Sequence, residues 1–219
     1  MFNQDLTSLL QALIAVVIVI LVCFPVHEFS HAFAAFKLGD STARWQGRLT
    51  LDPRVHFDPL GVALLVISAL VGGIFIGWAK PTPVNPYNLR YGRRGESIVA
   101  LSGPLSNLAL AAAAAIPLRL IFMNPDLRAS VMASDIASFV VNVAVFFVLI
   151  NVFLMVFNLL PIPPLDGWRV LLGLVDARTA YTLRQYEQYG FVLIILLLLL
   201  GPTLIGNLAQ PILRLLLGT

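Results

Sequence analysis

The stretch Cys23-Phe24-Pro25-Val26-His27-Glu28-Phe29-Ser30-His31, set inside an apolar run from about Leu9 to Leu38, decides how the chain is read. A helix brings residues four apart onto one face, so His27 and His31 can grip one metal ion with Glu28 beside it. The HExxH spacing joins two imidazole ligands to a carboxylate that can take a proton from a metal-activated water. The surroundings are those of a membrane segment, with Pro25 its only breaker. About 30 residues at 1.5 Å each span roughly 45 Å, the bilayer with its headgroups. With Lys37 at the interface, the histidines lie roughly 10–15 Å inside it. The expectation is a metal site within the membrane, nearer one face.

Composition agrees. Of 219 residues, 59% are hydrophobic and 11% charged, with a mean hydropathy of +0.90; soluble domains carry about 25% charged residues. One membrane domain over 1–219 is expected, with a catalytic core at about 9–170 and a C-terminal membrane region at about 188–218. No basic run with interleaved aromatics points to nucleic acid. Cys23 is the sole cysteine, so it has no partner for an internal disulfide and reads as a packing residue. The N-terminus MFNQDLTSLL lacks the positive region of a secretory signal, so the first segment is expected to be retained.

Outward from the motif, residues 39–59 are polar and turn-rich, and the alternation at Arg48-Leu49-Thr50-Leu51 predicts a short hairpin or interfacial strand. Leu60 to Trp78 is apolar again, interrupted by Gly72-Gly73, a place for a re-entrant segment to turn back. Pro81, Pro83 and Pro86 in WAKPTPVNP exclude a helix and favour an extended segment. Glu96 to Phe122 and about Ala133 to Leu160 read as further spans. Gly190 to Leu217, broken at Gly201-Pro202 and Pro211, reads as a kinked span or as a span plus an interfacial helix. Lys37, Arg44, Arg48 and Arg54, then Lys80, Arg90, Arg93 and Arg94, cluster in two connections. The positive-inside rule puts both in the cytoplasm and the N-terminus outside.

Zinc at a catalytic site takes a third protein ligand and leaves a position open. The candidates are His56, Asp58 and Asp166. Here the residues carry a resemblance. HEFSH together with Asn158-x-x-Pro161-x-x-x-x-Asp166-Gly167 resembles the paired signature of the site-2 protease family of intramembrane zinc metalloproteases. Ser102-Gly103-Pro104-Leu105-Ser106-Asn107 resembles that family's small-residue motif on the middle core helix.

The resemblance implies an all-α polytopic membrane protein. It has a three-helix catalytic core, a re-entrant or extended segment and one or more additional C-terminal transmembrane helices. It implies one zinc per chain held by His27, His31 and Asp166, with Glu28 as general base and then proton donor. Asn158 takes an auxiliary or substrate-binding role. Asn107 is read, beside its packing role, as a second polar group facing the cleft. The substrate is a membrane-embedded protein cut in or near a transmembrane segment, as in regulated intramembrane proteolysis. The branch is a compact prokaryotic one without PDZ-like or CBS domains, placed in the cytoplasmic membrane with its site towards the cytoplasm.

A substrate helix must unwind before attack, and the WAKPTPVN segment is the edge expected to hold it open. A divalent-metal transporter is the alternative; it gives Glu28 no role and would ordinarily show two similar halves, which this chain lacks. A serine protease is disfavoured because no Gly-x-Ser-x-Gly occurs.

Overall fold

The computed structural model describes residues 6–71 and 76–218. Helix α1 (Leu6–Ile18) runs through a π turn (Val19–Cys23) into α2 (Phe24–Lys37). Pro25 is the second residue after that turn. Its ring excludes the ordinary hydrogen bond to the carbonyl four residues back, and the wider π turn carries the chain past it without ending the helix. Two single-turn helices follow, α3 (Thr42–Trp45) and α4 (Pro53–His56), then α5 (Pro59–Val71). The long helices α6 (Arg93–Met123) and α8 (Asp135–Leu159) are joined by α7 (Pro125–Met132). The chain closes with α9 (Asp166–Leu174), α10 (Ala177–Arg184), α11 (Gly190–Leu200) and α12 (Pro202–Leu217). Leu13–Lys37, α6 and α8 are each long and apolar enough to cross a membrane. Residues 177–199 and 203–217 bend by 71° at the Gly201-Pro202 breaker.

Helix α6 is the centre of the bundle and packs on α2, α8, α9 and α12. Its buried positions are small where neighbours press in: Gly103, Ala111 and Ala115. Opposite them α8 buries Val148, Val152, Met155 and Val156. In lipid, apolar side chains gain little by leaving one another's company, so close packing and interhelical hydrogen bonds hold such helices together. One such bond joins the fully buried Asn107 and Asn151 across α6 and α8 at 2.9 Å; pairs of this kind contribute roughly 0.6–2 kcal/mol.

Two stretches between the spans position the site. Helix α5 has 13 residues, about 20 Å at 1.5 Å each, too short for a hydrocarbon core of about 30 Å. It lies on α1, with Leu65 and Ala69 against Val16 and Val19. The chain then returns alongside it: Ile76 N donates to Ser68 Oγ at 2.9 Å, and Trp78 packs against Gly61. The described residues thus go out and come back, the course a re-entrant segment would take; the expected turning point, Gly72-Gly73, lies outside the described residues. Residues 48–51 do not form the expected hairpin or strand, and no strand occurs among the described residues. Helix-start chemistry prevails there: the Asp52 carboxylate accepts Arg54 N at 3.0 Å and Pro53 opens α4. Arg48 turns inward instead of alternating outward, and only 4% of it is exposed.

Contacts place the ends of α2 and α8, the start of α6, and α9 at one end of the bundle. Nearly all Lys and Arg residues lie at or next to that end. The exceptions are Arg128 in α7, Arg119 and Arg214; Arg119 donates to Leu215 O at the opposite end.

Candidate metal centre and catalytic site

Helix α2 delivers His27 and His31 to the face it presents to α6, and the turn after α8 delivers Asp166 at the first position of α9. The three meet. Asp166 Oδ2 lies 3.1 Å from His27 Nε2 and 3.2 Å from His31 Nε2, and the two Nε2 atoms are 3.1 Å apart. Both histidines are buried. Among the described residues this is the one cluster of three such donors close enough to share a metal. The other third-ligand candidates are committed elsewhere. His56 Nε2 bonds Thr50 O at 2.8 Å, and Asp58 caps α5 by accepting Gly61 N at 2.8 Å.

The donor set fits zinc on three counts. Tetrahedral ligands about 2.0–2.1 Å from zinc stand about 3.3 Å from one another, close to the separations found. The proton accounting agrees. His31 Nδ1 lies 2.7 Å from Val99 O, which can only accept, so Nδ1 carries the hydrogen and leaves Nε2 as the nitrogen for a metal. His27 Nδ1 lies 2.6 Å from Asn107 Oδ1, which likewise accepts. With each Nδ1 turned to an acceptor, Nε2 is the nitrogen that each ring turns to the Asp166 carboxylate, and it is the atom through which each ring would bind a metal. The third count is space: a Cβ at Gly103 would run into His31 Nε2 and stand 2.7 Å from His27 Cε1, so α6 backs the two rings only with glycine there.

Glu28 lies on the same helix turn, lining a cavity of about 230 Å³ together with the two histidines, Asp166 and Asn158. Its carboxylate is held by the extended segment. Thr82 N and Thr82 Oγ1 both donate to Glu28 Oε2, at 2.8 and 2.7 Å. That segment is itself tied down. Arg48 donates to the carbonyls of Lys80 and Pro81, Lys80 N donates to His56 O at 2.9 Å, and Asn85 N donates to Asp40 Oδ2 at 2.7 Å. Asn158 gives its Nδ2 to Leu154 O at 2.9 Å in its own helix, which leaves Oδ1 as the acceptor. Asn107 is absent from the cavity wall; it stands fully buried behind His27. Its position on α6 was legible in the sequence, its side of the ring was not. Thr82, Arg48 and Asp40 escaped the sequence reading as site residues, because each bonds to groups far away along the chain. Beside this cleft, sharing Phe24, Gly77 and Leu154 with it, lies an apolar cavity of about 630 Å³ bounded by α8, α11 and α12.

Comparison with known proteins gives the family. The model of peptidase family M50 matches residues 118–201, which hold Asn158 and Asp166. "Putative zinc metalloprotease YwhC" of Bacillus subtilis is 38% identical over 184 residues, which cover 83% of this chain and 78% of that protein. The chain belongs to peptidase family M50, the site-2 proteases. "Putative zinc metalloprotease Rip2" of Mycobacterium tuberculosis is 36% identical over 189 residues, covering 85% of this chain and 66% of that protein. Its Mycolicibacterium smegmatis namesake is 36% identical over 177 residues, 79% of this chain and 62% of that protein. No solved structure matches the chain. As a family member the chain is an integral-membrane zinc metalloendopeptidase of the site-2 type, and the geometry above says which of its residues are available for that chemistry.

Proposed function

We propose that this chain is an intramembrane endopeptidase that hydrolyses a peptide bond in or near a transmembrane segment of another membrane protein. His27, His31 and Asp166 would hold its zinc and Glu28 would move the protons. The observation that carries the reading is the convergence of two imidazole Nε2 atoms, a carboxylate and a separately anchored glutamate on one cleft within a membrane-spanning bundle. Zinc, when bound, supplies the Lewis acidity that polarises a peptide carbonyl and acidifies water. Glu28 does the rest of the proton work. Both Thr82 donors occupy Oε2, and Oε1 has no hydrogen bond among the described residues, so Oε1 is the atom that takes the proton from water. The hydroxide oxygen bonds to the carbonyl carbon; the C–N bond then breaks as Glu28 returns its proton to the leaving nitrogen. Asn158 lines the same cleft, and its Oδ1 would accept an N–H from the substrate backbone or an O–H from the water.

A helix offers no carbonyl until it unwinds. The extended Trp78–Asn85 segment lines the cleft and keeps its own backbone tied to Arg48, Glu28 and Asp40, which makes it a fixed edge for an unwound substrate strand. The basic end of the bundle is the end with the cleft, and positive-inside reasoning places it at the cytoplasmic face of a prokaryotic cytoplasmic membrane. The test is reconstitution of the zinc-loaded protein in vesicles with a panel of single-span polypeptides, some with helix-weakening Gly or Asn near one end, and mass spectrometry of products. The expected result is cleavage within or beside the span that drops about 10²–10⁴-fold in Glu28→Gln while bound zinc stays at wild-type level. Equal cleavage by Glu28→Gln would refute the assignment.

A further inference from the structure

We infer that Asn151, which touches neither the cleft nor the three donors, is a positioning residue for the metal, acting through Asn107 on the tautomer of His27. The inference rests on His27 being a ligand, as proposed above. A histidine binds metal through a nitrogen that carries no hydrogen, so whatever fixes the hydrogen on the other nitrogen prepares the ligand.

The two histidines are prepared in different ways. His31 Nδ1 faces Val99 O, a backbone carbonyl that can do nothing but accept. His27 Nδ1 faces an amide side chain, which has an accepting end and a donating end and can turn either one to the ring. What decides the end lies two residues further on. Asn151 Nδ2 is 2.9 Å from Phe147 O and 3.4 Å from Cys23 Sγ. The Phe147 carbonyl only accepts, so it holds Asn151 with its NH₂ on that side and its Oδ1 towards α6. Asn151 Oδ1 then accepts from Asn107 Nδ2 at 2.9 Å, which turns Asn107 Oδ1 to His27 Nδ1 at 2.6 Å. Every donor in the sequence meets an acceptor, and the polarity is set by one backbone carbonyl at its far end. Both asparagines are fully buried, so water does not compete for these bonds. Without Asn151, Asn107 is free to rotate its amide and offer Nδ2 to the ring. That selects the form of His27 with hydrogen on Nε2, which faces Asp166 and cannot bind zinc through that atom.

The experiment needs no substrate. The chain has three histidines, so ring ¹⁵N spectra of histidine-labelled, metal-free protein in alkaline buffer resolve each tautomer, and zinc affinity is read by competition with a chromophoric chelator. Wild type should show His27 with hydrogen on Nδ1. Asn151→Leu, which has the same branching and number of side-chain heavy atoms, should show a mixture at His27, an unchanged His31 ring, and zinc held about 10–100-fold more weakly. In an Asn107→Asp background the carboxylate accepts from Nδ1 whatever stands at 151, so Asn151→Leu should there leave zinc affinity unchanged. Asn151→Ala, which likewise has no acceptor for Asn107 Nδ2, carries the same predictions should leucine prevent folding. A wild-type tautomer and affinity in Asn151→Leu would overturn the inference. So would an equal loss in both backgrounds, which would mark Asn151 as packing alone. Undiminished zinc affinity in His27→Ala would instead overturn the ligand assignment on which it rests.

Discussion

The cleft has two walls built on opposite principles. One is helical: α2, α6 and α9 hold the three donors on regular backbone, with small residues letting the helices close in. The other is the strap of residues 39–58 and 76–92, which has only short helical turns and is fixed by side chains bonding to backbone: Arg48 to Lys80 and Pro81, Thr82 to Glu28, Asp40 to Asn85. The difference follows from what each wall must hold. On the proposed function the helical wall holds metal ligands, which need fixed positions to within a fraction of an ångström, and rigid elements supply them. The strap, on the same proposal, would meet an unwound substrate and so needs an exposed extended edge, and such an edge inside a membrane protein survives only where its remaining polar groups are satisfied by neighbours. Glu28 belongs to both walls, since it rides on the ligand helix but is oriented by the strap.

The comparison breaks most sharply if the helical wall tolerates a methyl group. In Gly103→Ala the new Cβ would collide with the His31 ring and crowd His27. The rings are bonded on their other nitrogens and cannot swing away without giving up Val99 or Asn107. Zinc affinity should fall by about 100-fold or more, measured by chelator competition. Gly206→Ala on α12, where an added Cβ meets nothing within 4 Å, is the matched control and should bind as wild type. Equal affinities in the two variants would mean that α6 yields easily and that the helical wall is no more rigid than the strap.

A smaller effect tests the hinge between the walls. Thr82→Val keeps the side-chain volume and the backbone N–H bond to Glu28 and deletes only the hydroxyl donor. Hydrogen bonds to a charged group are worth about 1.5–3 kcal/mol, and part of that orients the carboxylate. Cleavage in the vesicle assay should slow about tenfold, with KM and zinc content unchanged, and Thr82→Ser should recover most of the rate. A Thr82→Val variant as fast as wild type would detach the strap from the proton transfer and leave Glu28 to the helix alone.

The two walls were also unequally legible in the sequence. The helical one announces itself: the apolar spans, the four-residue spacing of His27 and His31, and the Gly103 motif are local patterns that survive folding unchanged. The three long helices fall within a few residues of where hydropathy put them. The strap does not announce itself. Its prolines exclude a helix, but nothing local says that Thr82 reaches a carboxylate 54 positions earlier. At Arg48-Leu49-Thr50-Leu51 the alternation suggested a strand because it assumed that an arginine points outward. Burial of Arg48 against two carbonyls reversed the assumption and, with it, the element. Asn107 shows the intermediate case. Helical periodicity gives its angle on α6, while only the packing of α2 and α8 reveals that it stands behind His27 instead of in front of it.

The smallest expected effect lies in acid and sharpens where the strap gets its order. Burial pushes the Asp40 carboxyl up. Bonds from Thr42 Oγ1 at 2.5 Å, Asn85 N at 2.7 Å, Asn88 Nδ2 at 3.1 Å and Thr42 N at 3.1 Å together outweigh it, so the group sits below its ordinary value. A carboxyl lowered on folding contributes stability that is complete above its unfolded value, about 3.9, and is lost only as pH falls through the lower folded value. The strap should therefore stay as ordered at pH 5 as at pH 7. Asp40→Asn removes the charge at every pH. It should cost the 83–90 segment about 1–2 kcal/mol of protection at neutral pH, read by amide hydrogen exchange corrected for intrinsic rates. The helices carrying the donors should show no change. In strong acid the wild type should approach the variant, since both then carry a neutral group. If variant and wild type exchange alike at pH 7, Asp40 is not what fastens the strap to the end of α2, and the order of that wall must come from Arg48.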